Sequence, residues 1–197
     1  MIQTGSPVIS IYTEMTPNPE TMKFVANKLL YPGKSIDFPD INNATPSPLA
    51  MELFGFPFIK AVFIASNFVT ITRTPESDWE EIKPTLRQFL KDYLEEGKLV
   101  INEDHVVETK KEDEIILNEG DDVVKRIKDL LDNYVKPAVE MDGGAIQFKK
   151  FEDGVVTLML QGSCSGCPSS MITLKSGIEQ MMKRMIPEVQ EVMAEAE

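Results

Sequence analysis

Alternation of apolar and polar residues predicts a small β-sheet in the first half of the chain. The predicted strands are residues 8–13, 22–26, 35–38, 59–65 and 68–73. The last two strands flank Ser66 and Asn67, a pair that favours a hairpin turn. The run Thr16-Pro17-Asn18-Pro19 lacks this alternation and predicts a rigid turn after the first strand.

Two helices accompany these strands. Residues 47–53 predict a short helix with Pro48 at a tolerated first position. A longer helix over residues 78–96 is predicted from apolar residues at helical spacing and from a capping-box spacing at its start. Gly97 should end this helix, and Pro84 should either lie in its first turns or kink it.

A second group of elements starts near residue 121. Apolar residues at helical spacing predict a helix that reaches Val135, and Pro137 either ends this helix or kinks it. Residues 145–151 and 155–161 are predicted strands on either side of a Glu-Asp-Gly turn, so they should form a hairpin. A loop over 162–167, a helix over 169–185 and a short strand over 189–193 complete this group.

A strongly acidic segment separates the two groups. Residues 97–122 contain nine Asp or Glu against three Lys, a net charge of −6 out of −12 for the whole chain. Such a composition favours an exposed linker, or a solvated loop packed on one domain. We therefore expect a domain over 1–97, an acidic linker over 98–120 and a domain over 121–197. The fold class is α+β, with helices packed on a short, mostly antiparallel sheet in each domain.

Composition and charge restrict the function. A hydrophobic fraction of 42% is enough to build a core, and the acidic charge argues against binding to nucleic acid or to an anionic membrane. No apolar run approaches the roughly 18 residues of a membrane span. The first residues resemble neither a secretory signal nor a transit peptide. We expect a cytoplasmic protein, and a mature organelle protein without its presequence is also compatible with these residues.

The two cysteines of the chain, Cys164 and Cys167, are the strongest candidates for chemistry. They are three positions apart, so a disulfide between them would close a very small loop and constrain little of the unfolded chain. In a reducing compartment such a pair more often binds metal or performs redox chemistry. The pair lies before a predicted helix, whose N-terminus favours thiolates and bound anions. Cys164 and Cys167 are therefore the predicted metal and cofactor ligands.

The number of ligands in one chain is too small for a closed metal site. An iron–sulfur cluster is normally held by four cysteines, and structural zinc also takes four ligands. The chain offers two cysteines and one histidine, His105, which lies in the acidic segment. Two chains that each contribute Cys164 and Cys167 would complete either site. A cluster held across such an interface would be exposed and releasable, as a carrier requires.

Residues 122–192 resemble the C-terminal domain of the NifU and Nfu-type iron–sulfur scaffold proteins. The resemblance depends on Val139-Glu140-Met141-Asp142-Gly143-Gly144, then a hairpin, then the spacing of Gly162, Cys164, Cys167 and Ser170 before a helix. Residues 9–96 resemble the Nfu N-terminal domain through Thr16-Pro17-Asn18-Pro19, Met22-Lys23-Phe24 and the helix that begins near Trp79. Together these two regions cover most of the chain.

The resemblance implies a scaffold or carrier that is not an enzyme. It implies assembly of a [4Fe–4S] cluster between two subunits of a homodimer, ligated by Cys164 and Cys167. The implied partners are upstream cluster-assembly factors, which supply the cluster, and apo iron–sulfur proteins, which receive it. The N-terminal domain contains no cysteine, so it cannot hold a cluster through thiolates.

Two other functions use the same cysteines. The first is a dimeric Cys₄ zinc adaptor, which needs the same ligands and differs in the metal. The second is a thioredoxin-like redox protein, since a strand, C-x-x-C and a helix also occur there in this order. Only a helix and about ten residues follow the cysteine pair, whereas a thioredoxin fold needs further strands at this point.

Overall fold

The computed structural model describes residues 8–105, 121–164 and 168–196 of the 197-residue chain. The chain divides into two compact units, Met1–Val107 and Glu108–Glu197. Each unit contains one β-sheet packed with helices, so the predicted α+β class with two domains is confirmed. No helix of the described ranges is long and apolar enough to cross a membrane.

The first unit is built on an antiparallel sheet. Its described strands are β1 (Ile11–Met15), β2 (Thr21–Ala26), β3 (Tyr31–Phe38), β4 (Ile59–Ser66) and β5 (Phe68–Arg73), in the order β1-β2-β5-β4-β3. Strands β4 and β5 form the predicted hairpin around Asn67, and Ser66 takes the positive φ that this tight turn requires. Strand β3 is longer than predicted, because its pairing with β4 continues to Tyr31 across an irregularity in register.

Two helices cover one face of this sheet. Helix α1 (Pro48–Leu53) is capped by the Ser47 side chain, which accepts a hydrogen bond from the amide of Ala50. Helix α2 (Trp79–Glu95) is capped by Asp78 and continues through Pro84, which occupies its second turn. Gly97 follows α2 with a φ of +69°, the conformation expected at a helix C-terminus. Buried side chains of both helices join the same core as β2, β4 and β5.

The chain remains attached to the first unit after α2. Val100 and Ile101 are buried in its core, and the Val100 carbonyl accepts a hydrogen bond from the Ser47 hydroxyl at 2.7 Å. The amide of Asn102 donates to the carbonyl of Pro46, also at 2.7 Å. Residues 100–102, which lie near the start of the predicted linker, thus belong to the first unit. Residues 106–120, which form most of the predicted linker, lie outside the described residues.

The second unit begins with a long, interrupted helix. Its parts are α3 (Asp121–Leu130), a π-helical segment (Leu131–Val135) and α4 (Lys136–Met141). In the π segment the amide of Lys136 donates to the Leu131 carbonyl, five residues earlier. Pro137 therefore does not end the helix, which continues after a widened turn. Tyr134 in the π segment is 60% exposed, whereas Val135 is buried.

A mixed sheet completes the second unit. Strands β6 (Gly144–Glu152) and β7 (Val155–Gly162) form the predicted antiparallel hairpin. Helix α5 (Pro168–Met185) then connects β7 to β8 (Glu191–Ala196), which pairs with β7 in parallel. A parallel pair needs such a crossover. Strand β7 is therefore central in this sheet, and the loop that carries both cysteines connects its end to α5.

Candidate metal centre

Cys164 lies just beyond the last residue of the central strand β7. Gly162 ends the strand with a φ of +68°, and Ser163 and Cys164 form the turn that follows. Cys164 is only 6% exposed and belongs to the hydrophobic core of the second unit. Cys167, the second predicted ligand, lies outside the described residues. The structure therefore places one of the two predicted ligands.

A second turn packs directly against Cys164. It connects α4 to β6 through Asp142 and Gly143, and Gly143 has a φ of +81°. The next residue, Gly144, opens β6 opposite Gly162 in the antiparallel register. The pairing of these two strand ends is what brings the Asp142–Gly144 turn beside the cysteine, 20 positions away in sequence.

The two glycines of this turn have different structural roles. Gly143 supplies the positive φ of the turn, which glycine adopts without steric cost. Gly144 instead supplies space, because a Cβ atom there would lie 2.8 Å from Cys164 Sγ and 2.6 Å from the Gln161 carbonyl oxygen. The cysteine thiol thus packs against backbone that has no side chain.

Ser163 connects the turn to the thiol. Its amide donates to the Gly143 carbonyl at 3.3 Å, and its hydroxyl donates to the Asp142 carbonyl. The same hydroxyl oxygen is 3.8 Å from Cys164 Sγ, within the range of a sulfur hydrogen bond. The sequence identifies Ser163 only as one of the small residues beside the cysteines, whose replacement by Ala should leave cluster transfer largely intact. Its contacts depend on the pairing of β6 with β7, which no local pattern around Ser163 reveals.

The surroundings of Cys164 favour the protonated thiol. Burial raises the pKa of Cys164, and the hydrogen bond between the thiol and Ser163 lowers this pKa in part. The carboxylate of Asp142 raises the pKa of Cys164 further, because a negative charge nearby disfavours a thiolate. Ligation requires the thiolate, the form that this burial disfavours.

Helix α5 begins one residue after Cys167. Its N-terminus presents amide groups without intrahelical partners and a partial positive charge, both of which favour an anionic group nearby. Ile178 and Met182 of this helix are buried in the core of the second unit. Ile172 and Met185 of the same helix are exposed.

No alternative ligand set is present in the described part of the chain. Within residues 8–105, 121–164 and 168–196, no group of three or more His, Cys, Asp or Glu side chains could hold a metal ion. His105, the one histidine of the sequence, ends a short 3₁₀ turn of the first unit (Glu103–His105). Cys164 and Cys167 thus remain the candidate ligands.

Comparison with known proteins gives the same division into two units. A family model described as "Scaffold protein Nfu/NifU N terminal" matches residues 11–97, and one described as "NifU-like domain" matches residues 127–193. The human protein named "NFU1 iron-sulfur cluster scaffold homolog, mitochondrial" is 42% identical over 183 residues, which are 92% of this chain and 70% of the human protein. This chain belongs to the Nfu/NifU family.

Other members of the Nfu/NifU family match over similar lengths. A Drosophila willistoni protein with the same name is 39% identical over 98% of this chain and 65% of its own length. The chain therefore spans less than two thirds of the length of these fly relatives, 60–66% of each. The solution structure of a NifU-like protein from Saccharomyces cerevisiae matches 52% of this chain and 92% of its own, with 28% identity and a TM-score of 0.46.

Proposed function

We propose that this protein is an iron–sulfur scaffold or carrier. Two copies hold one [4Fe–4S] cluster through Cys164 and Cys167 of each, and the cluster is passed to apo-proteins. The observation that carries the proposal is that both cysteines of the chain lie in one short loop between the central strand β7 and the N-terminus of α5. Membership of the Nfu/NifU family supports it, since the relatives are named iron–sulfur cluster scaffolds.

The number of cysteines supports sharing between two copies. A cubane cluster is normally held by four thiolates, and one chain has two. A second copy of the chain supplies the missing pair with the same geometry, and a two-fold dimer is the commonest closed assembly. The partner in the loaded state is therefore a second copy of this chain.

Transfer would follow from ligand exchange. Gly162, Ser163, Ser165, Gly166 and Ser169 are the small residues around the two cysteines. Small side chains leave the iron of a shared cluster accessible to the thiolates of a client. Each client thiolate that binds iron releases one cysteine of the carrier, so the cluster moves intact and no iron is released into solution. This role needs no catalytic group, so we propose a carrier rather than an enzyme.

Two alternatives use the same cysteines. A dimeric zinc adaptor would need the same four thiolates and would be colourless, so metal analysis separates it from the carrier. A thioredoxin-like redox protein is less compatible with the fold, because one helix, α5, and one strand, β8, follow the cysteine loop. The strand β8 pairs in parallel with the strand that precedes the cysteines.

The first unit is proposed to select clients or assembly factors. It has its own hydrophobic core and no cysteine, so it has the core of a separate domain and offers no thiolate for iron. The relatives carry "mitochondrial" in their names. For this chain we propose a reducing compartment, the cytoplasm or the mitochondrial matrix, because the paired cysteines must stay reduced to bind iron.

The direct test is cluster transfer in the presence of an iron chelator. Protein reconstituted without oxygen should become brown and should activate an apo [4Fe–4S] hydratase while the chelator removes any iron in solution. Variants with Cys164→Ala or Cys167→Ala should neither hold the cluster nor activate the hydratase. If the chelator stops activation completely while the protein keeps its colour, the protein stores its cluster and does not transfer it.

A further inference from the structure

The thiol of Cys164 faces the interior of the second unit. The residue is 6% exposed, and its sulfur lies where a Cβ atom on Gly144 would come within 2.8 Å. A cluster shared by two copies must lie at their surfaces, because each copy contributes ligands from its own loop. The position of Cys164 described here is therefore different from the one in which it would ligate a shared cluster.

One side chain fixes this inward position. Ser163 is 3% exposed, and its backbone amide and its hydroxyl both donate to the Asp142–Gly144 turn. Since the hydroxyl proton is used by the Asp142 carbonyl, a lone pair of the same oxygen faces Cys164 Sγ at 3.8 Å. A thiol S–H can donate to that lone pair. Ser163 thus holds both the loop and the thiol against the turn.

Backbone movement of Cys164 away from the turn requires the release of these contacts. The cysteine follows Ser163 directly in the chain, so a movement that carries its backbone away from Gly144 breaks the hydrogen bonds that Ser163 donates to the turn. A buried hydroxyl that loses its partner must form a hydrogen bond with water instead. The free-energy cost of this exchange favours the inward position of Cys164.

We propose that Ser163 is a positioning residue that keeps Cys164 inward and shielded. The release of Ser163 before ligation rests on the proposed function, whereas the shielding of Cys164 does not. The shielded thiol is protected from oxidation and from unwanted metals until Ser163 leaves the Asp142–Gly144 turn.

The shielding can be tested in the full chain with Cys167→Ser, which leaves Cys164 as its one cysteine. The reaction of this thiol with iodoacetamide is followed by mass spectrometry, and the rates are extrapolated to full ionisation so that changes in thiol pKa do not contribute. Adding Ser163→Ala should raise the rate about tenfold, the factor expected for losing one hydrogen bond. The matched control is Thr157→Val, which removes another buried hydroxyl from the strand before the loop.

The urea dependence of the same rates separates local opening from unfolding. Local release of Ser163 exposes little surface, so the rates should stay nearly constant in urea well below the unfolding transition. An unchanged rate in Ser163→Ala, or an equal increase in Thr157→Val, would overturn the proposal. Neither measurement uses iron, so a protein that binds no cluster but shows these rates would refute the carrier function and leave the role of Ser163 intact.

Discussion

The indole N–H of Trp79 donates a hydrogen bond to the Pro19 carbonyl at 3.1 Å, across 60 positions of sequence. Its ring also packs at a tilt against Phe24, with ring centroids 6.3 Å apart. The first residue of α2 is thus fixed to the turn between β1 and β2. The Thr-Pro-Asn-Pro turn and the helix that begins at Trp79 both contribute to the family resemblance. The contact between Trp79 and Pro19 fixes the position of the helix on the turn.

Replacing Trp79 by Phe should lower the free energy of unfolding of the first unit by about 1 kcal/mol. The phenyl ring keeps much of the packing on Phe24, and the hydrogen bond to Pro19 is lost. Urea unfolding followed by circular dichroism measures the change. Cluster binding by the variant should remain normal if the contact between Trp79 and Pro19 has only a structural role. A variant as stable as wild type would show that this hydrogen bond contributes nothing to the free energy of unfolding.

Replacing Gly144 by Ala should destabilise the second unit by more than about 2 kcal/mol, because the new methyl group meets the Gln161 carbonyl and the Cys164 sulfur. The matched control is Gly177→Ala in α5, where a Cβ meets nothing within 4 Å. That substitution should stabilise the helix by about 0.5–1 kcal/mol.

The single tryptophan allows the two units to be followed separately. Trp79 lies in the first unit, so its fluorescence should report the same unfolding midpoint in wild type and in Gly144→Ala. Circular dichroism should show an earlier transition in that variant. A shifted fluorescence midpoint would mean that the two units unfold together.

Brief digestion with trypsin should cut after Lys110 or Lys111 before it cuts after Lys98. Val100 is buried, and Lys98 forms ion pairs with Glu52 and Glu96, so the chain around Lys98 is attached to the first unit. The acidic composition around Lys110 predicts an exposed linker. Mass spectrometry of the first fragments identifies the sites. An early cut at Lys98 would support a linker that starts at residue 98.

The first unit should lose stability between about pH 10 and pH 12 through Tyr93. Burial, with a smaller effect of the Glu52 carboxylate, raises the pKa of Tyr93 from 10.0 to about 12. Its hydroxyl also donates to the Leu99 carbonyl at 2.6 Å. In this pH range the unfolded chain loses the tyrosine proton while the folded chain keeps it, so unfolding becomes more favourable as the pH rises.

The control for this effect is Tyr93→Phe, which has no phenol proton to lose. The difference in unfolding free energy between wild type and Tyr93→Phe should be constant below pH 10 and should shrink above it. The phenolate absorbance of Tyr93, taken as the difference between the two proteins, should rise near pH 12. A midpoint near pH 10 would contradict the burial of this hydroxyl.

The regular helices and strands of the fold could be predicted from the sequence. Where the structure differs from the prediction, the cause is pairing between distant residues or a helical turn that apolar spacing does not reveal. The β4–β5 hairpin and the start of α2 follow from alternation, turn residues and capping. The π-helical turn before Pro137 was not predicted, because apolar spacing does not distinguish a widened turn from a kink. The extra length of β3 depends on its pairing with β4.

The candidate ligands could be predicted from the sequence, but their surroundings could not. Two cysteines at C-x-x-C spacing beside a helix start are a local signal. The burial of Cys164, the space at Gly144 and the contacts of Ser163 depend on the register of β6 on β7. Such register is set by the whole hairpin and by the turn that precedes it.

Native mass spectrometry of the reconstituted protein tests the central claim most directly. The account predicts a dimer that carries the mass of one [4Fe–4S] cluster, and a mixture of wild type with Cys164→Ala should form loaded dimers from wild-type chains alone. A monomer that carries a complete cubane would contradict the account, since one chain has only two cysteines and further ligands would be required.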